Sequence, residues 1–106
     1  MSTLSIIQAM SNPIRFAILD LVREREMAAG EIAERFETTR PAVSQHLRVL
    51  REAGLLGERS VGVRRLYVVR PEGLDPLRTY LEDFWDLRLR GLKVTAEAAQ
   101  RRKRAR

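Results

Sequence analysis

The run Thr39-Arg40-Pro41-Ala42-Val43-Ser44-Gln45-His46-Leu47-Arg48-Val49-Leu50-Arg51-Glu52-Ala53-Gly54 reads as a helix with both ends marked. Thr39 supplies a capping hydroxyl, and Gly54 tolerates the left-handed conformation that closes a helix. On a wheel turning about 100° per residue, Val43, Leu47 and Leu50 cluster on one side and face a core. Gln45, Arg48 and Glu52 lie opposite, Ser44 and Ala42 flank them, and Arg40 stands at the N-terminal end. Any surface helix has a polar side, but the chemistry of this one is selective: Arg, Ser, Gln, His and Arg, with no acid before Glu52. Gln45 can pair bidentately with adenine, and Arg40 or Arg48 with guanine. Ser44 and the first-turn amides suit a phosphate, helped by the helix dipole. The Ala42 methyl can meet a thymine. His46, the single histidine, lies near the core edge. Packing, phosphate positioning and base reading are all open to it.

Upstream, residues 29–36 form a short helix with Ile32, Ala33 and Phe36 inward and a weak cap at Ala28. A brief break at Glu37-Thr38 leads into the helix beginning at 40, which together make a helix-turn-helix pattern. Asn12-Pro13 starts an earlier helix, with Asn capping and Pro at the first helical position. Its stripe is Ile14, Ala17, Ile18, Leu21 and Val22, it fades near Arg25, and Phe16 falls outside the stripe toward another surface. Residues 3–10 make a first helix with Leu4, Ile6, Ile7 and Met10 apolar, and Met27 makes a short extended link.

Downstream of Gly54 the apolar period changes from helical to alternating. Leu56–Ser60 and Arg64–Val69 read as two strands around Val61-Gly62-Val63, a β-hairpin with basic residues Arg59, Arg64 and Arg65. Pro71 ends it. Asp75-Pro76 then opens a long helix over 75–97 bearing Leu77, Leu81, Phe84, Trp85 and Leu92. Residues 1–97 are expected to be one domain, and 98–106 a basic, disordered tail.

Composition narrows the function. The 106 residues carry a net charge of +6, concentrated in two places. Residues 39–70 hold seven Arg against two Glu, and 101–106 hold five basic residues and no acid. Such a distribution suits a polyanion partner. Basic edges also discourage strand pairing, so the hairpin arginines have a solubility reading beside a DNA reading. The absence of cysteine excludes disulfides, thiolate metal sites and cysteine nucleophiles, and fits a cytoplasmic protein. No apolar run spans a membrane, and the N-terminus has no signal-peptide pattern. Nothing resembles a serine–histidine–acid set, a phosphate-binding glycine loop or a carboxylate pair, so no enzyme is expected.

From Pro41-Ala42-Val43-Ser44-Gln45-His46-Leu47 through Gly54-Leu55 the chain resembles ArsR-type winged-helix repressors. The likeness continues in Ser11-Asn12-Pro13-Ile14-Arg15-Phe16-Ala17-Ile18-Leu19, Gly30-Glu31-Ile32-Ala33 and Arg64-Arg65-Leu66-Tyr67, covering roughly 4–92. It implies a mainly α winged helix-turn-helix with a β-hairpin wing, dimerised through the first and last helices, and transcriptional repression, often of the repressor's own operon. By position the DNA contacts fall on Thr39, Arg40, Ser44, Gln45, His46 and Arg48, with Arg59, Arg64 and Arg65 in the wing. The dimer interface falls on Leu4, Ile7, Leu77, Tyr80, Leu81, Phe84 and Trp85, whose aromatic stripe reads as an interface rather than an effector pocket. Metal-sensing relatives use cysteines before the reading helix or histidines on the last helix. Neither occurs here, so no metal or other cofactor is expected, and the ending Phe84-Trp85-Asp86 is closer to metal-independent members. The competing readings are a nonspecific nucleic-acid binder dominated by the tail, and a winged-helix protein-interaction module.

Overall fold

The computed structural model describes residues 2–104, with side chains described through Gly91. Helix α1 spans Thr3–Met10, with the Ser2 hydroxyl accepting from the Ser5 amide at 3.1 Å. Helix α2 spans Pro13–Glu24, and the Asn12 side chain accepts from the amides of Ile14 and Arg15. These caps satisfy donors that a helix start leaves without partners.

Met27–Ala28 forms a two-residue strand, β1, leading directly into α3 at Ala29–Ala33. Helix α3 is shorter than the expected 29–36, because residues 34–36 leave helical pairing in turns that bring Phe36 back against the core. Ala28 has no capping side chain, and the Glu31 carboxylate compensates by accepting from the Ala28 amide at 3.2 Å. Helix α4 spans Arg40–Glu52 and is capped as the sequence implies, with Thr39 Oγ1 accepting from the Ala42 amide at 3.2 Å.

Strands β2 (Leu56–Val61) and β3 (Arg64–Val69) pair antiparallel, with Val61 opposite Arg64 across the Gly62-Val63 turn. Val61 is thus the last paired residue of β2 rather than part of the loop. The extended link at Met27 proves to be a third strand. β1 pairs with β3 through Met27 opposite Tyr67 and Ala28 opposite Leu66, giving the order β1-β3-β2.

The core lies where these elements meet. Ile6, Ile18, Val22, Met27, Ile32, Val43, Leu47, Leu50, Leu55 and Leu56 are buried. Full burial of each aliphatic side chain contributes about 1.5–3 kcal/mol, so Val43, Leu47 and Leu50 anchor α4 firmly. At the exit of α4, Gly54 adopts φ 79°. Its carbonyl lies against Gly73, where a Cβ would collide with it, and the Arg70 amide donates to Leu55 O at 2.9 Å. A short 3-10 turn, Pro71–Leu74, then enters α5, Asp75–Arg104.

Helix α5 corrects the expected end at 97 and the expected disordered tail from 98. Its path continues through Arg104, and the sequence Ala96-Glu97-Ala98-Ala99-Gln100-Arg101-Arg102-Lys103-Arg104 is made of strong helix formers with cations toward the C-terminus, which the helix dipole favours. The side chains of that segment, including Leu92, and residues 105–106 lie outside the described ones. Among the described residues, no helix is long and apolar enough to cross a membrane.

Candidate nucleic-acid interface

Helix α4 turns Val43, Leu47 and Leu50 inward and leaves Thr39, Arg40, Ser44, Gln45 and Arg48 exposed. These residues share the outer side of one rigid element, with the α4 N-terminus open. The Arg40 guanidinium lies against Gly30 of α3, filling the crook of the helix-turn-helix. Arg48 Nε donates to Glu52 Oε1 at 3.0 Å, one helical turn away. Both side chains of that pair are well exposed. Such a pair is worth at most about 1 kcal/mol and yields readily to a stronger anion.

His46 is turned aside. Its Nδ1 lies 3.3 Å from Arg15 Nη1 on α2, and the ring is half-buried. Burial first, and then the positive charge of Arg15, lower its pKa below the ordinary histidine value. Packing is therefore the arrangement the fold presents for this residue. Arg15 is absent from the expected contacts, although the sequence held a signal: a cation in the first turn of α2, where the dipole favours acids.

The wing arginines divide between the two sheet faces, as alternating strand residues must. Arg59 lies opposite Leu66 and Val61 opposite Arg64, which puts Arg59 and Arg64 on one face. Arg59 pairs with Glu26, just before β1, and Arg64 pairs with Glu31 of α3. Arg65 is on the other face with Glu58 and Tyr67, 3.4 Å from the Glu58 carboxylate that also binds Arg51. Tyr67 has its pKa raised, by burial first and then by Glu58, and so remains a phenol. Glu26, Glu31 and Glu58 were not expected at the site. Glu26 and Glu31 come from positions 33 residues away from their arginines, which no local pattern announces, whereas Glu58 belongs to the hairpin itself.

A second exposed surface lies on α1 and α5, which meet where Thr3 Oγ1 donates to Pro76 O at 3.3 Å. Leu4, Ile7, Tyr80, Leu81, Phe84 and Trp85 are all exposed there, and Phe16 adds to the apolar area. Tyr80 and Phe84 pack edge to face with centroids 5.1 Å apart, and Arg88 lies 5.4 Å from the centroid of the Trp85 ring. Leu77 differs from the rest, being half-buried against the core of its own chain.

Residues 10–59 match a family model described as a helix-turn-helix domain. The chain is 44% identical over 84 residues to the HTH-type transcriptional regulator Rv2034 of Mycobacterium tuberculosis, covering 79% of this chain and 78% of that protein. It is 38% identical over 58 residues to the transcriptional repressor SdpR of Bacillus subtilis, covering 55% and 64%. Its fold matches the ArsR-like transcriptional regulator from Rhodococcus sp. RHA1 with a TM-score of 0.70 and 29% identity, covering 86% and 89%. Fold and site define a DNA-binding winged helix-turn-helix transcriptional regulator. Within that class, the chain belongs to the ArsR-type family.

Proposed function

We propose that the protein is a cytoplasmic repressor that binds an inverted-repeat operator as a homodimer, including one upstream of its own gene. The observation that carries this reading is the outer side of α4. Arg40, Ser44, Gln45 and Arg48 stand exposed together, while the opposite side is buried among aliphatic residues. Gln45 and Arg48 read base edges, Thr39, Arg40 and Ser44 set the phosphate register, and Arg59, Arg64 and Arg65 contact the flanking backbone. The exposed apolar surface of α1 and α5 supports the dimer, because a protomer this small gains from covering it. Two-fold symmetry then requires half-sites about one helical turn, or a multiple of it, apart. Repression is consistent with the name of the related protein SdpR. Metal sensing is not part of this reading, since the chain has no cysteine and its one histidine faces an arginine.

Selection of genomic fragments by the purified protein, followed by a promoter reporter, tests it. An enriched inverted repeat, and lower reporter output when the protein is present, are expected. Uniform recovery of all fragments would identify a nonspecific binder. No recovery by a folded dimer would identify a protein-interaction module.

A further inference from the structure

Arg15 occupies the third helical position of α2, yet its guanidinium leaves that helix. Nε donates to Ala9 O at 2.6 Å and Nη2 to Gln8 O at 3.3 Å. These carbonyls belong to the last turn of α1, where the i+4 donors of the helix have run out, and Gln8 O already takes the Ser11 amide at 3.3 Å. Gln8 O also accepts from the Ser11 hydroxyl at 2.8 Å. The third arm, Nη1, reaches His46 Nδ1 at 3.3 Å. Arginine offers only donors, so Nδ1 must accept, and the ring proton resides on Nε2. One side chain therefore ties the end of α1, the start of α2 and the middle of α4. Among the described residues it makes the only side-chain hydrogen bond between α4 and another helix.

We propose that Arg15 is a positioning residue that acts through His46 to fix the rotation of α4 relative to α1, and that protonation of His46 releases this bond and weakens DNA binding. The inference rests on α4 being the DNA-reading helix. Val43, Leu47 and Leu50 make a smooth aliphatic contact that resists removal of α4 but has no directional bond to set its rotation. The Arg15–His46 bond supplies that direction immediately beside Gln45. A small rotation there would move Gln45 and Arg48 together relative to a groove.

The charges around the ring are simple. Helix α1 has no ionisable side chain, and the α4 residues one turn from His46 are Ala42, Val43, Val49 and Leu50. From α2 the acting charge is Arg15, which together with burial lowers the His46 pKa. The folded ring therefore takes its proton at lower pH than the unfolded chain, whose histidine titrates near about 6.5. In the window below that value the unfolded state holds more protons, so both the bond and its stability contribution are lost as pH falls. An imidazolium cannot accept from a guanidinium, and the two like charges repel.

The test measures binding of the full chain to its selected operator duplex from about pH 7.5 to about pH 5.5, around the ordinary histidine range. Wild type should weaken by about five- to tenfold, the scale of one ordinary hydrogen bond. His46→Gln, which keeps an uncharged acceptor, should show a flat profile over the same interval. Arg15→Gln should weaken binding already at the upper pH and lose the acid dependence, with circular dichroism verifying that it is folded. Imidazole nitrogen shifts of the single histidine provide a readout without DNA, with the lowered wild-type titration moving back up in Arg15→Gln. Unchanged shifts and an unchanged pH profile in Arg15→Gln would overturn the proposal. So would wild-type binding that tightens in acid, which a direct His46–phosphate contact predicts. If wild type binds no duplex, the DNA-reading role and the positioning role both fall, and the imidazole shifts still decide the bond itself.

Discussion

Trp85→Ala offers the sharpest test of the dimer, because Trp85 is 59% exposed and contributes little to its own protomer's core. A tryptophan presents about 150–250 Å² of burial, so the uncovered part is about 90–150 Å². At about 25 cal/mol per Å², covering it is worth about 2–4 kcal/mol, an upper bound for each copy. Symmetry gives two copies per dimer, while ordering the side chain on association offsets part of the gain. A loss of about 2 kcal/mol corresponds to an increase of about 30-fold in the dimer dissociation constant. Sedimentation equilibrium over a range of concentrations measures that constant, and far-UV circular dichroism checks that the variant protomer remains helical. A variant that dimerises as tightly as wild type would refute the placement of Trp85 in the interface. A wild type that stays monomeric at every concentration would refute the interface altogether.

Glu26→Gln should release Arg59 from an exposed pair worth at most about 1 kcal/mol, tightening operator binding up to about fivefold. Anisotropy titration at low salt measures this, and weaker binding would count against wing contact by Arg59. Gln45→Ala and Arg48→Ala should each cost about 1–3 kcal/mol on the preferred operator and relax specificity at separate base pairs. Equal losses on every sequence would reassign them to the backbone. Gly73→Ala places a methyl against the Gly54 carbonyl and should destabilise the fold by about 1–3 kcal/mol, read as a lower urea midpoint. An unchanged midpoint would mean that the turn yields freely.

Local signals carried much of the fold. Thr39 and Gly54 bound helix α4 because caps act within one turn, and Val43, Leu47 and Leu50 declare its inner side through spacing alone. Helix α5 runs past 97 because alanines, glutamine and arginines all favour helix, a preference that outweighs the fraying expected of a terminus. Strand β1 reads in the sequence only as an extended link, since two residues have no periodicity and their pairing with Leu66 and Tyr67 is a tertiary fact. The pairing of Arg59 with Glu26 and of Arg64 with Glu31 is tertiary in the same way. His46 was legible as ambiguous. What settles its environment is Arg15, 31 residues away, through a bond that no spacing rule could indicate.

The contact between Gly54 and Gly73 is also the root of a long lever. Helix α5 has 30 residues, so it extends about 45 Å from that joint. A tilt of about 5° at its base would displace the far end by about 4 Å, at the rise of about 1.5 Å per residue. Bare backbone against bare backbone leaves little slack for such a tilt. In the proposed dimer, the distance between the two copies of α4 would thus depend on how closely two small residues meet, well away from α4's exposed side.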